Sequence, residues 1–257
     1  LLGLRVFLLS LFCGAVVSAQ TIRVAAAVSL RDALEQVRDA FEHDTPYKLE
    51  FTFGASGQLL AQIKSGAEID VFISAANTQV DDLEKANLVS RGTRRVIAGN
   101  SMVLVVPAVA KDPPRDFAAL GDPRFQRIAM GEPRTVPAGQ YAMQVLSSLG
   151  LAEKVKDRIV YGANVRQVLT YVELGEVAAG LVYATDARES GDKVRVVATA
   201  AADSHQPIVY PAVVVKSSRQ QSAALAFLDY LQTARAQSVL SEKGFSAPPT
   251  RTSKAAQ

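Results

Sequence analysis

The 257-residue chain has a single cysteine, two histidines and no motif of nucleotide or zinc chemistry. Each scarcity removes a class of function. The cysteine, Cys13, lies in an apolar leader, so the chain beyond it has no disulfide framework and no thiolate metal site. A chain of this length buries enough core to do without disulfides. His43 and His205 stand far apart in polar surroundings and read as surface residues, not as a general base. There is no P-loop, no Gly-x-Gly-x-x-Gly and no His-Glu-x-x-His. Phe53-Gly54-Ala55-Ser56-Gly57 has some likeness to a nucleophile elbow but lacks the second glycine in place, and no acid and base accompany it. Asp81-Asp82 and Asp186 read as solvated helix or turn acids, so no direct protein–metal ligands are expected. The net charge is +3, with Arg91-Gly92-Thr93-Arg94-Arg95 as the densest basic stretch and no interleaved aromatics. That stretch reads as a solvated turn, and nucleic-acid binding is disfavoured. No short-period repeat occurs, which excludes a solenoid.

Long apolar runs are also missing after the first segment. Leu1 to Ser18 has one early charge, Arg5, then an apolar stretch from Val6 through Val17, ending in Val17-Ser18-Ala19. That is the pattern of an export signal (residues 1–19) cleaved after Ala19. The run is short for a membrane span, and nothing later approaches about 20 apolar residues. Phe12 takes the place of the small residue expected before a lipidated cysteine, so Cys13 is not read as an anchor. A periplasmic location follows as an expectation.

What is present is alternation. Thr21–Ala27, Lys48–Phe53 and Ile69–Ser74 read as strands. Helical spacing follows the first at Leu30, Ala33, Leu34, Val37 and Phe41, and follows the third over Val80–Leu88. Ser101–Pro107 is the most apolar strand, and the alternation then restarts through Ile128–Gly131, Ile159–Tyr161 and Ala178–Tyr183. Val194–Ala198 and Val209–Val215 are further strands, and Ser222–Leu231 and Ala234–Lys243 are closing helices. The pattern predicts an α/β fold of two doubly wound, parallel-sheet domains. Their expected bounds are 20–100 plus 211–257 for domain I and 101–210 for domain II. A hinge near Gly99–Met102 and Tyr210–Pro211 and a cleft between the domains complete the prediction. In such sheets ligands bind at the carboxyl ends of strands.

The stretch from Phe53 to Ile63 gives the chemical lead. A strand ends in small residues and turns into a helix with Leu59, Leu60 and Ile63 on one face, and Ser56 stands where an N-cap belongs. Gly54 and Gly57 let other atoms approach the backbone closely. Alone, this is an ordinary capped helix. Three other helix starts share its character: Ser29, Ala138-Gly139 and Asn164-Val165. None carries an acid, and only Arg31 and Arg166 lie near. A pocket built from such starts offers N–H and hydroxyl donors without charge and suits a dianion. Tyr183, ending a strand, can add a phenolic donor; the plain alternative is a core tyrosine with a satisfied hydroxyl.

Several stretches carry a family resemblance. They are Ala25-Ala26-Ala27-Val28-Ser29-Leu30, Phe53-Gly54-Ala55-Ser56-Gly57 and Asp70-Val71-Phe72-Ile73-Ser74-Ala75, with Gly99-Asn100-Ser101 and Gly131-Glu132-Pro133. Val136-Pro137-Ala138-Gly139-Gln140-Tyr141-Ala142, Asn164-Val165-Arg166, Gly180 to Ala187 and Tyr210-Pro211 complete the set. In these the chain resembles the periplasmic molybdate-binding proteins of ABC importers, within the type II periplasmic binding proteins. The resemblance implies a tetrahedral oxyanion, molybdate or tungstate, held by the hydroxyls of Ser29, Ser56 and Tyr183 and by backbone N–H groups including those of Ala138 and Val165. It implies no cofactor, no catalysis, a monomer and a membrane permease as partner. Val28 departs from a usual alanine and Ala55 from a frequent serine. Sulfate or phosphate binding is the alternative within the class, because all are small tetrahedral anions. A ligand-sensing effector module and an esterase using Ser56 are the alternatives outside it.

Overall fold

The computed structural model describes residues 20–248. The leader with Cys13, its cleavage point after Ala19 and the chain from Pro249 onward lie outside the described residues. The first part runs β1 (Thr21–Ala27), α1 (Arg31–Asp44), β2 (Lys48–Gly54), α2 (Ser56–Lys64), β3 (Val71–Ile73), α3 (Asn77–Lys85) and β4 (Arg95–Gly99). Asn100 and Ser101 lead into the second part. It runs β5 (Met102–Pro107), β6 (Ile128–Gly131), α4 (Pro137–Ser148), α5 (Ala152–Val155), β7 (Ile159–Gly162), α6 (Val165–Glu173), β8 (Ala179–Tyr183), α7 (Ala184–Glu189) and β9 (Val194–Thr199). The chain then returns through residues 200–208 to β10 (Val209–Val214), α8 (Gln221–Tyr230) and α9 (Ala234–Glu242).

Among the described residues the strands form two five-stranded sheets, ordered β2-β1-β3-β10-β4 and β7-β6-β8-β5-β9. The expected two α/β units are present, but the sheets are mixed and not wholly parallel. β10 pairs antiparallel with β3 and β4, and β5 pairs antiparallel with β8 and β9. The reason lies in the crossings. β1, β2, β3, β7 and β8 all reach the same pocket at or just past their carboxyl ends, and the turn after β6 brings Val136 to it. A strand that enters a sheet from the other one starts at that end and must run away from it. β5 and β10 are those two strands.

Strand alternation explains the layers. In β1, Ile22, Val24 and Ala26 join the core under α1, α8 and α9, whereas Ala25 packs with Leu59, Ile63, Val80 and Leu83 of α2 and α3. β3 and β10 repeat this, with Phe72 and Val213 on the α2–α3 side and their neighbours on the other. The inner strands β3 and β10 are therefore buried on both faces, as their continuous apolar runs require, whereas the outer strand β2 exposes Lys48, Glu50 and Thr52.

Two further differences from the sequence reading have local causes. β4 was not expected; it starts with Arg95 in the basic stretch and forms the sheet edge beside β10. That stretch is not a free solvated turn, since Arg94 donates to Asp81 and Glu84 at 2.7 Å each and clasps α3. Tyr210 and Pro211 lie inside β10, within the strand read over Val209–Val215, and a register shift between Val209 and Pro211 accommodates the proline.

Candidate functional site

The four helix starts singled out from sequence do meet. Ser29, Ser56, Ala138, Val165 and Tyr183 line one pocket, with Ala27, Val28, Gly54, Ala55, Ala75, Val136, Pro137 and Asn164. No lining residue carries a charge. The space between their atoms, with the open mouth included, is no more than about 210 Å³. The size fits a small ligand only.

Each element supplies its donor differently. Ser56 is the first residue of α2, and Ala55 takes the N-cap position, which corrects the expected capping role. Its side chain makes no cap bond. Ser56 Oγ instead accepts the Ala75 backbone N–H at 3.1 Å. That bond uses an acceptor site of the buried hydroxyl and leaves its hydrogen free to donate. Ser29 lies in a short 3₁₀ turn, Val28–Leu30, ahead of α1 and likewise makes no cap bond. Its Oγ is 3.1 Å from the Tyr210 hydroxyl. Pro137 opens α4, so the Ala138 amide is the first N–H of that helix and precedes its first intrahelical bond. Val165 opens α6 behind Asn164, whose side chain caps the helix by accepting the Gln167 N–H at 3.0 Å. The Val165 amide is thus also left without an intrahelical acceptor.

Tyr183 decides between the two readings left open for it. Its side chain is buried at the end of β8, and its hydroxyl has no hydrogen-bond partner among the described residues. It is not a satisfied core tyrosine. Burial first, then the neighbouring Tyr210, Tyr141 and Asp186, push its ionisation well above the usual range. The hydroxyl keeps its proton and is a donor aimed at nothing in the protein.

The two arginines near the cleft are occupied elsewhere. Arg31 lies over the Phe53 ring, 4.6 Å from its centroid, and pairs loosely with Glu35. Arg166 pairs with Asp32 of α1, joining the two halves of the molecule, and its Nε stands 2.8 Å from Asp186 Oδ1. That approach is off the N–H direction, and neither Asp186 oxygen has a hydrogen-bond partner among the described residues. Asp186 is fully buried in α7, which overturns its reading as a solvated acid. Burial, only partly opposed by Arg166, raises its carboxyl to about 7. His43 bonds its neighbour Asp44, and His205 bonds the Gln206 carbonyl; neither lines the pocket.

Sequence reasoning missed the contacts that hold these donors. The Gly57 N–H, at the start of α2, donates to the Thr135 carbonyl across the cleft at 2.9 Å. Glycine spacing signalled a close approach there, but not its partner. Asn100, Tyr210 and Ala75 lie in stretches that carry the resemblance, but nothing local marked Tyr210 and Asn100 as standing behind Ser29, or the Ala75 amide behind Ser56.

Residues 22–246 match the family described as bacterial extracellular solute-binding protein. The chain belongs to this family. This solute-binding protein is 40% identical over 233 residues to the molybdate-binding protein ModA of Haemophilus influenzae, covering 88% of this chain and 90% of the relative. It is 33% identical over 253 residues to ModA of Escherichia coli, with 92% and 97% covered. Among solved structures it is similar to the Azotobacter vinelandii periplasmic molybdate-binding protein. That match has a TM-score of 0.79 and 26% identity, and covers 88% of this chain and 99% of the other.

Proposed function

We propose that this solute-binding protein captures molybdate, and tungstate with it, and delivers the anion to the membrane permease of an ABC importer. The observation that carries the reading is the unpartnered, buried hydroxyl of Tyr183 in a pocket without charge. A buried donor left unmade costs about 1–3 kcal/mol, and an oxyanion with only acceptor oxygens would relieve it. Ser29, Ser56 and the amides of Ala138 and Val165 supply the other donors. Desolvated dipoles of this kind hold a dianion without a cation. The similarity to ModA proteins over most of the chain supports molybdate within the tetrahedral anions.

In this reading the protein is exported, cleaved after Ala19 and works as a periplasmic monomer without a cofactor. Domain I (20–100 plus 211–257) and domain II (101–210) close on the anion by hinge motion. Its role is binding and not catalysis, a reading supported by the Ser56 oxygen, which is engaged by the Ala75 amide and has no base beside it in the pocket lining.

Calorimetric titration of the purified protein with molybdate, tungstate, sulfate and phosphate tests the proposal. Molybdate and tungstate should bind tightest. Sulfate binding tighter than molybdate would overturn it.

A further inference from the structure

Behind Ser29 stands a chain of side chains whose hydrogens can be placed one by one. Asn100 lies in the first crossing between the sheets, and its Oδ1 accepts the Ser101 backbone N–H at 2.8 Å. Only the carbonyl end of an amide can meet an N–H, so the Nδ2 end faces the other way. That end donates to Thr185 Oγ1 at 2.9 Å and to the Tyr210 hydroxyl oxygen at 3.0 Å. Tyr210 is fully buried, and its hydroxyl also lies 3.1 Å from Ser29 Oγ. Of the two partners of the Tyr210 hydroxyl among the described residues, Asn100 Nδ2 can only donate, so Ser29 Oγ is the one acceptor open to the Tyr210 hydrogen. Ser29 Oγ then accepts, and its own hydrogen is left for the pocket.

We propose that Asn100 and Tyr210 are positioning residues for the bound anion. They form a one-way donor chain, Asn100 to Tyr210 to Ser29, that points the Ser29 hydroxyl hydrogen at the ligand before the ligand arrives. The inference rests on the oxyanion reading of the pocket and extends it to groups that do not line it. Each donor in such a chain polarises the next, which strengthens the last bond. A hydroxyl already turned toward the ligand also loses less freedom on binding. Ser56 is set the same way by a shorter route, the Ala75 amide. Both serines therefore meet the ligand as donors, which suits a fully deprotonated oxyanion.

Position allows another role for the same groups. Tyr210 lies in the returning strand β10, Asn100 in the outgoing crossing and Thr185 in α7, so the network could merely fasten the crossings. A double-mutant cycle separates the two roles. Wild type, Tyr210→Phe, Ser29→Ala and the double variant are titrated with molybdate, tungstate and sulfate, and each is melted without anion to verify folding. Acting through Ser29, Tyr210→Phe weakens binding about tenfold, and Ser29→Ala weakens it more. The double variant then matches Ser29→Ala within about twofold. Losses that multiply in the double variant overturn the proposal, as does a Tyr210→Phe protein that binds like wild type. If Tyr210→Phe does not fold, Asn100→Ala breaks the chain one bond earlier and enters the same cycle. Wild type that binds sulfate but not molybdate defeats the molybdate reading, and the cycle is then judged with sulfate. Wild type that binds none of the three anions overturns both.

Discussion

Gly57 and Thr135 touch backbone to backbone across the cleft: the Gly57 N–H donates to the Thr135 carbonyl at 2.9 Å, and a Cβ on Gly57 would lie 2.6 Å from that oxygen. The contact joins α2, after the first sheet's β2, to the turn before α4 of the second part. A methyl group there cannot be absorbed by a side-chain shift, because the atoms it meets are backbone. The halves must part slightly instead. Gly57→Ala is expected to cost about 1–3 kcal/mol, the usual penalty of overpacking, read as a lower melting temperature of the anion-free protein, as weaker anion binding, or as both. A variant that keeps both the wild-type melting temperature and the wild-type affinity would show that this contact is not made in solution.

Tyr183→Phe should move stability and affinity in opposite directions. The hydroxyl is buried and has no hydrogen-bond partner among the described residues, so removing it should leave the anion-free protein as stable or more so. Anion affinity should fall by about 1–3 kcal/mol for the lost donor. Thermal melts without anion and titrations with molybdate read the two effects separately. A destabilised free protein would mean that the hydroxyl has a partner in solution.

Ser56→Ala should differ from Tyr183→Phe in sign. Ser56 Oγ is the acceptor for the buried Ala75 amide, so its removal orphans that N–H. The free protein should lose about 1–3 kcal/mol of stability, and binding should weaken as well. Chemical denaturation of the anion-free variant checks the first part.

These contrasts show where sequence reading stops. Strand and helix periodicity placed β1 and β6 to the residue, and small or polar helix starts brought Ser29, Ser56, Ala138 and Val165 into view, because those signals are local. Ser29 and Tyr210 are 181 residues apart, and no pattern within a helix or strand reports such a pair. The partners of Gly57 and Ser56 were illegible for the same reason. Asp186 was misread because acidic residues are seldom fully buried, and only the packing of α7 puts this one inside. β4 was missed because an edge strand that starts in a basic stretch has the composition of a turn.

Affinity should respond weakly to salt. No charged side chain lines the pocket, and its donors are desolvated dipoles, which salt screens far less than exposed charges. Raising sodium chloride from about 0.05 M to about 0.5 M shortens the screening length severalfold, yet the dissociation constant should rise by less than roughly threefold. A steeper loss in a titration series would move the attraction to surface charges.

Asp186 should set a pH dependence of stability. Its carboxyl is raised from 3.8 to about 7 by burial; Arg166 opposes the shift and Asp32 adds to it. Between roughly pH 4 and 7 the folded protein then holds a proton that the unfolded chain has released. Stability therefore falls as pH rises through that window, at up to about 1.4 kcal/mol per pH unit from this group. Below the window the neutral acid costs nothing extra, and above it the folded state carries a buried carboxylate. Asp186→Asn removes the titration and leaves Arg166 its pair with Asp32, so the variant should lose this slope and be more stable than wild type at pH 8. Denaturation curves for both proteins from pH 4 to pH 8 test it, and parallel curves would show that Asp186 does not titrate in the window.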